Sequence, residues 1–490
     1  MRREETVTDI DWHTLARDLQ GPLVLAGDPQ HVWARKRFVA LGHDTLPAAV
    51  AYCVDATDVA HALRFARSRQ VPFAVRATGH SFADHSSTPG LLIDVSRLTS
   101  ITPTAGGADA ETVTVGAGVG VGELVDRLTQ WGRSLPTGSC PTVGIAGLTL
   151  AGGFGLLGRD LGLTTDHLRA AEVVLADGSI ITVDDDHDSE LWWALRGIGG
   201  AHIAVVTTLT FHTLPVAPVT TLYARWPFQD AVTVIDQWQR LAPEAPDQVT
   251  AELLMTAPDL LTEPPTVELF GTSRGDPTLA ENWLAGFVAS VGRRPTEAGT
   301  RTLNRREAAR YQAGWIGRTH HEVWIPDGPF EQPGHQLVKS EFFDQLLPVE
   351  AIAQLVDAIA ADRIFVEHRE VEFIPWQGAY ARVSPADTAF VHRRARLMLR
   401  HTVLTGSSTT PQRRQAAQRW LTRSWEAVHP YGSGRVYQGY PDPELADWAD
   451  AYYGANLPRL AAVKATYDPD GLFVSPQPIP PHWVRPSHSS

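Results

Sequence analysis

"GSCPTVGIAGLTLAGGFG" occupies residues 138–155 and sets six glycines around Cys140, one of only two cysteines in a chain of 490 residues. A turn so rich in glycine gives a thiol little side-chain packing, so burial as a small hydrophobe explains Cys140 poorly. Such turns present successive backbone N–H groups, which form a concave nest for a phosphate or another anion. A second stretch of this kind, "VRATGHS" (75–81), ends a strand with Arg76, Thr78, Gly79, His80 and Ser81. Two such turns can enclose a pyrophosphate, and the cysteine beside one of them reads as a point of attachment.

The surrounding pattern in the first third is strand and helix in alternation. "AAVAYCV" (48–54) predicts a strand, "DATDVAHALRFARSR" (55–69) an amphipathic helix with an Asp start, and "PFAVRAT" and "GLLIDVS" two further strands. This alternation predicts an α/β arrangement. "ETVTVGAGVGVGELVDRLTQWG" (111–132) runs strand, glycine loop, helix, yet its glycines fall at every second position and not as G-x-G-x-x-G. It reads as a tight strand-to-helix turn and not as a nicotinamide dinucleotide site. "AAEVVLADGSIITVD" predicts a hairpin around an Asp-Gly turn. After "LPVAPV" (214–219) long amphipathic helices mix with strands such as "REVEFIPW" and "ARLMLRHTVL", which predicts an antiparallel sheet with helices on one face. "LADWADAYYGANLPRLAAVKATYD" predicts one further helix before a Pro-rich tail.

Composition bounds the function. The net charge of −13 argues against nucleic acid or an anionic membrane surface as partner. No apolar run is long enough for a membrane span, and the charged N-terminus lacks a secretory signal, so a cytoplasmic location is expected. Two cysteines cannot build a disulfide framework. Cys53, in an apolar strand, reads as core. No metal is expected: "DDDHDSE" (184–190) reads as a solvated acidic turn, and "THHEV" (319–323) lacks H-E-x-x-H spacing.

"RATGHS", "GSCPTVGIAG", "LGLTTDHLRAAEVVLADG", "LWWALRG" and "YPDPELADWADAYYGANLPRLAAVKATYDPDGLF" together resemble the berberine-bridge-enzyme-like FAD-linked oxidases, within the vanillyl-alcohol-oxidase/PCMH-type flavoprotein superfamily. The resemblance spans roughly residues 45–215 and 430–480. It implies an α+β fold: a PCMH-type FAD-binding domain of two subdomains (1–215), a substrate-binding domain of antiparallel sheet covered by helices (216–430), and a C-terminal segment (431–490) returning to the first. It implies FAD bound doubly and covalently, through the 8α-methyl to His80 and through C6 to Cys140. Arg76, Thr78, Gly79, Ser81, Ser139, Val143, Gly144, Gly147, Gly153, Val206, Tyr453 and Asn456 follow as further cofactor contacts. The chain departs from the family at "RGIGGAHIAVVT" (196–207), where His202 replaces an Asn and Ala204 a Gly, and Ala151 replaces a loop Gly.

On the substrate side, relatives that oxidise sugars and alcohols carry a Tyr in a "Y-x-N-Y" strand that takes the hydroxyl proton as hydride leaves. The matching stretch is "YQGY" (437–440), which implies Tyr437 as base, with Gly439 in place of Asn. An unperturbed Tyr is a weak base at neutral pH, so a cation must lower its pKa. Arg400, followed by His401, stands where relatives have Gln or Glu. It serves there as that cation, as an anchor for an anionic substrate, or as a plain salt bridge. Glu372, Trp376 and Tyr380 match a pocket-lining strand. Val143, three residues after Cys140, implies O2 as acceptor and H2O2 as product. The expected function is oxidation of a small-molecule alcohol, sugar or secondary metabolite. The alternatives are a dehydrogenase or oxidative cyclase, and a flavin-binding protein without turnover.

Overall fold

The structure is a computed structural model that describes residues 10–35, 38, 45–104, 111–312, 335–406 and 409–481. The apolar runs of the first hundred residues form β1 (Leu23–Leu25), β2 (Ala49–Tyr52), β3 (Phe73–Arg76) and β4 (Leu91–Asp94), in sheet order β1-β2-β4-β3. β4 runs parallel to both β2 and β3. The helix Ala56–Arg69 makes the crossover from β2 to β3. Asp55 caps it by accepting the Asp58 N–H, and Gln70 closes it in the left-handed region.

A second sheet, antiparallel throughout, contains β5 (Ile101–Pro103), β6 (Thr112–Gly116), β8 (Leu168–Val174), β9 (Ile180–Val183) and β10 (Val205–His212) in the order β5-β6-β10-β8-β9. The short strands β7 (Arg133–Ser134) and β11 (Leu214–Pro215) pair beside it. One hydrophobic core joins both sheets: Leu91, Val115, Val173 and Leu209 pack with Tyr453, Leu457 and Leu460 from the C-terminal segment. That segment is not the single helix its sequence predicts. It breaks into Trp448–Tyr453, a 3-10 turn at Gly454–Asn456, and Leu457–Tyr467. Pro458 lies in the first turn of the last helix, where its missing N–H costs nothing, and Gly454 takes a positive φ.

The remaining strands make a seven-stranded antiparallel sheet: β12 (Val219–Pro227), β13 (Val249–Ala257), β14 (Thr266–Arg274), β15 (Glu297–Leu303), β16 (His335–Phe343), β17 (Glu367–Pro375) and β18 (Leu397–Thr405). Their order is β15-β12-β14-β13-β17-β18-β16. Alternation along each strand sorts the side chains. Leu253, Val371, Leu397 and Leu399 pack under the helices Ala231–Leu241, Val349–Ala360 and Pro411–Glu426. Glu252, Glu372 and Arg400, one residue out of phase, belong to the opposite face, which fronts the two smaller sheets. No described helix is long and apolar enough to cross a membrane.

Candidate functional site

A cavity of about 470 Å³ separates the glycine turns from that polar sheet face. The turn after β3 supplies Thr78, Gly79, His80 and Ser81, and the 138–147 loop supplies Ser139, Cys140, Val143, Gly144 and Gly147. Val206 at the start of β10 and Tyr453 complete this wall, and the Tyr453 hydroxyl donates to Ile198 O at 2.8 Å. The glycines have local reasons. Gly79 sits at φ 77°, where a Cβ is strained. A Cβ on Gly144 would lie 3.0 Å from Thr78 Oγ1, a tight contact where the two turns meet. At Gly147 a Cβ would meet no protein atom within 4 Å, which leaves bare backbone facing the space.

His80 and Cys140 meet at one hydroxyl. His80 Nε2 and Thr142 Oγ1 share a hydrogen bond of 3.0 Å, and Cys140 Sγ lies 3.5 Å from the same oxygen. The His80 ring also stacks on Phe38 at 3.6 Å between centroids. Burial pushes the His80 pKa down to about 3, against the opposing pull of its Thr142 hydrogen bond. The imidazole is therefore neutral at pH 7, the form with a lone pair to give.

Three expected cofactor contacts stand behind the wall. Arg76 is buried in an ion pair with Asp94 at 2.7 Å, tying β3 to β4. The Gly153 N–H donates to the Tyr437 hydroxyl at 3.3 Å. Asn456 donates to Pro385 O and Thr388 O at 2.7 and 3.0 Å. Trp376 and Tyr380, expected to line the substrate pocket, are fully buried beneath it. They stack at 4.5 Å, Trp376 Nε1 donates to His392 O, and the Tyr380 hydroxyl donates to Gly155 O at 3.2 Å. They support the glycine loop from below.

His401 faces away from the cavity, because a strand alternates and Arg400 faces in. Its Nδ1 bonds Ser424 Oγ at 2.8 Å under the helices, where burial holds it near pKa 3. Arg400 lies 2.7 Å from Glu372 and 3.7 Å from Glu370. Burial alone would lower its pKa, but Glu372, Tyr440 and Glu370 hold it above the ordinary value. The guanidinium stands over Tyr440, not Tyr437, at 5.7 Å from the ring centre. "YQGY" is also not a strand here: it turns at Gln438–Gly439, with the Tyr440 N–H donating to Tyr437 O at 2.9 Å.

Sequence reasoning passed over Glu252, Gln438, Tyr440 and the buried neutral His85 on the cavity wall, where His202, noted as a departure from the family, also stands neutral. A lone charged residue in the middle of the apolar run "VTAELLMTA" was the available signal for Glu252. Among the described residues no group of His, Cys, Asp and Glu is arranged to hold a metal. Asp184, in the acidic turn, accepts the N–H groups of Asp186 and His187, and residues 319–323 lie outside the described residues.

The bare glycine backbone, the neutral imidazole and the thiol on one wall fit a flavin dinucleotide. The sequence profile of an FAD binding domain matches residues 47–184, and that of the "berberine and berberine like" family matches residues 436–480. The FAD-linked oxidoreductase YgaK of Bacillus subtilis is 31% identical over 473 residues, spanning 94% of this chain and 97% of its own. A chitooligosaccharide oxidase of Gibberella zeae is 25% identical over 454 residues, spanning 89% of this chain and 87% of its own. The solved structure of Physcomitrella patens BBE-like 1 superposes with a TM-score of 0.85 at 26% identity, over 98% of this chain and 100% of that one. With a PCMH-type FAD-binding fold and its berberine-like C-terminal segment packed into the core, the chain belongs to the berberine-bridge-enzyme-like FAD-dependent oxidoreductases.

Proposed function

We propose that the chain is an oxidase of alcohol carbons, with a sugar or a hydroxylated secondary metabolite as donor and O2 as acceptor. One observation carries this reading: a single cavity has His80 and Cys140 on one wall and Tyr437, Tyr440 and the Arg400–Glu372 pair on the other. Bound between them, the flavin supplies a two-electron acceptor for a C–H hydride and passes the electrons to O2 as H2O2. In this reading His80 carries the 8α-methyl and Cys140 carries C6. Thr142 occupies His80 Nε2, which leaves Nδ1 as the bonding nitrogen. Two tethers on one wall leave the opposite side of the cavity to the donor.

The donor side suits a polyhydroxylated molecule. Glu252, Glu372, Arg400 and Gln438 offer hydrogen-bonding groups, and Phe154, Tyr437 and Tyr440 offer flat apolar faces. A tyrosine of the 437–440 turn takes the hydroxyl proton. In this reading residues 1–215 bind FAD, 216–430 bind the donor, and 431–490 carry the tyrosines back to the FAD.

The test is a donor screen by peroxide release on the purified yellow protein, followed by anaerobic bleaching with each hit. Bleaching with peroxide formed one-for-one supports the oxidase. Bleaching that persists in air shows a dehydrogenase instead, and a flavin that no alcohol or sugar donor bleaches overturns the reading.

A further inference from the structure

Gly439 replaces an Asn of the family pattern, and the structure uses the missing Cβ. A Cβ there would lie 2.4 Å from Tyr437 Cε1 and 2.7 Å from its hydroxyl oxygen. The Tyr437 ring therefore folds back over its own turn, into space that only glycine leaves open. In this position Tyr437 is 3% exposed, edge-on to Phe154 and Phe390, with its hydroxyl accepting the Gly153 N–H. Among the described residues no cationic side chain acts on it.

Tyr440 stands differently. Both tyrosines line the cavity, but Tyr440, edge-on to Phe82 and Phe154, has the Arg400 guanidinium 5.7 Å from its ring centre. Arg400 is held in place by Glu372 at 2.7 Å and Glu370 at 3.7 Å. Burial, then Glu372 on β17 and Glu252 on β13, hold the Tyr440 pKa above its ordinary value and oppose ionisation. Arg400 is the group that favours it, both by charge and by hydrogen bonding. For Tyr437, among the described residues, the favourable group is the Gly153 N–H, against burial and two neighbouring tyrosines.

We propose that Tyr440, positioned by Arg400, is the proton acceptor of the oxidation, and that Gly439 has withdrawn Tyr437 from that role. This rests on the oxidase reading above. The acceptor form is the Tyr440 phenolate paired with Arg400: as the donor's C–H hydrogen leaves with its electron pair as hydride to the flavin, the hydroxyl proton moves to the phenolate oxygen and makes it a phenol. The C–O bond becomes a carbonyl. O2 takes up the two electrons and two protons, one from the transferred hydride and one from Tyr440, which becomes phenolate again, and leaves as H2O2.

The first test needs no donor. The flavin-loaded wild type, Tyr440→Phe, Tyr437→Phe and Arg400→Met are titrated upward from about pH 8, following phenolate absorbance. The phenol of the turn that ionises first should vanish in Tyr440→Phe and persist in Tyr437→Phe. In Arg400→Met its midpoint should rise by about one unit or more, a tenfold loss of acidity. The second test is anaerobic flavin reduction by chitooligosaccharides. Tyr440→Phe should slow it about 100-fold or more, with Tyr437→Phe slowed less than about tenfold. If the first-ionising phenol is lost in Tyr437→Phe, or if Arg400→Met leaves its midpoint in place, the proposal falls. Chitooligosaccharides that fail to reduce the wild-type flavin count against that donor class alone, and the titration still decides between the tyrosines.

Discussion

His80 and Cys140 are 60 positions apart in the chain and meet at the hydroxyl of Thr142. If each carries one bond to the flavin, His80→Ala and Cys140→Ala should each retain yellow colour after acid precipitation, and the double variant should lose it. Flavin released by acid from the wild type would refute covalent attachment. Gly79 makes a separate stability prediction. Its φ of 77° costs an L residue roughly 1–2 kcal/mol, so Gly79→Ala should lower the unfolding free energy by that much in urea titration. Residues of this kind were legible in the sequence because their reason is local: a glycine for a positive φ, a thiol with no packing to explain it. The choice between Tyr437 and Tyr440 was not. It depends on which ring folds over Gly439 and which meets Arg400, and no spacing along the chain states that.

Strands and helices were largely legible, and strand parity was the exception with consequences. Arg400 and His401 are neighbours in "LMLRHTVL", and both are chemically plausible, but the alternation that buries Leu399 under the helices also sends His401 there. A burial pattern across β18 settles it, and that pattern depends on which face the helices cover. Between elements, Arg159 holds the glycine loop to the large sheet. From the short helix Gly158–Leu161 it donates to Pro243 O, Ala245 O and Val249 O, at 3.0, 2.7 and 3.1 Å. Arg159→Met keeps the stem and strips three buried carbonyls of their donor. Stability should fall by about 2–4 kcal/mol in urea titration, with the flavin spectrum altered as the loop loosens. A loss below about 0.5 kcal/mol would show that water replaces the guanidinium.

Across the molecule, burial holds several histidines neutral. His202, His392 and His401 are pushed from 6.5 down to about 3. Between those values the unfolded chain carries a proton at each position and the folded chain does not. The unfolded state therefore binds more protons, and stability falls as pH drops from about 6.5 toward 3. Urea midpoints should decline steadily through that window, and His401→Gln should reduce the slope by about one proton. A flat profile would mean that these rings are hydrated in the folded protein.

The sequence by itself determined the family, the flavin and most of the residues that one cavity wall brings together. Those properties are written in contiguous motifs, where a glycine turn and a reactive side chain need only their own neighbours. It also determined the mixture of strands and helices, since periodicity is a local property. Only the tertiary structure decided the opposite side of the cavity. It moved Trp376 and Tyr380 beneath the pocket, turned His401 under the helices, and gave Arg400 to Tyr440. Each of these depends on contacts between segments far apart in the chain, such as Gly153 with Tyr437 and Glu372 with Arg400. Packing and burial choose among those contacts, and they come into being only when the sheets close on one another.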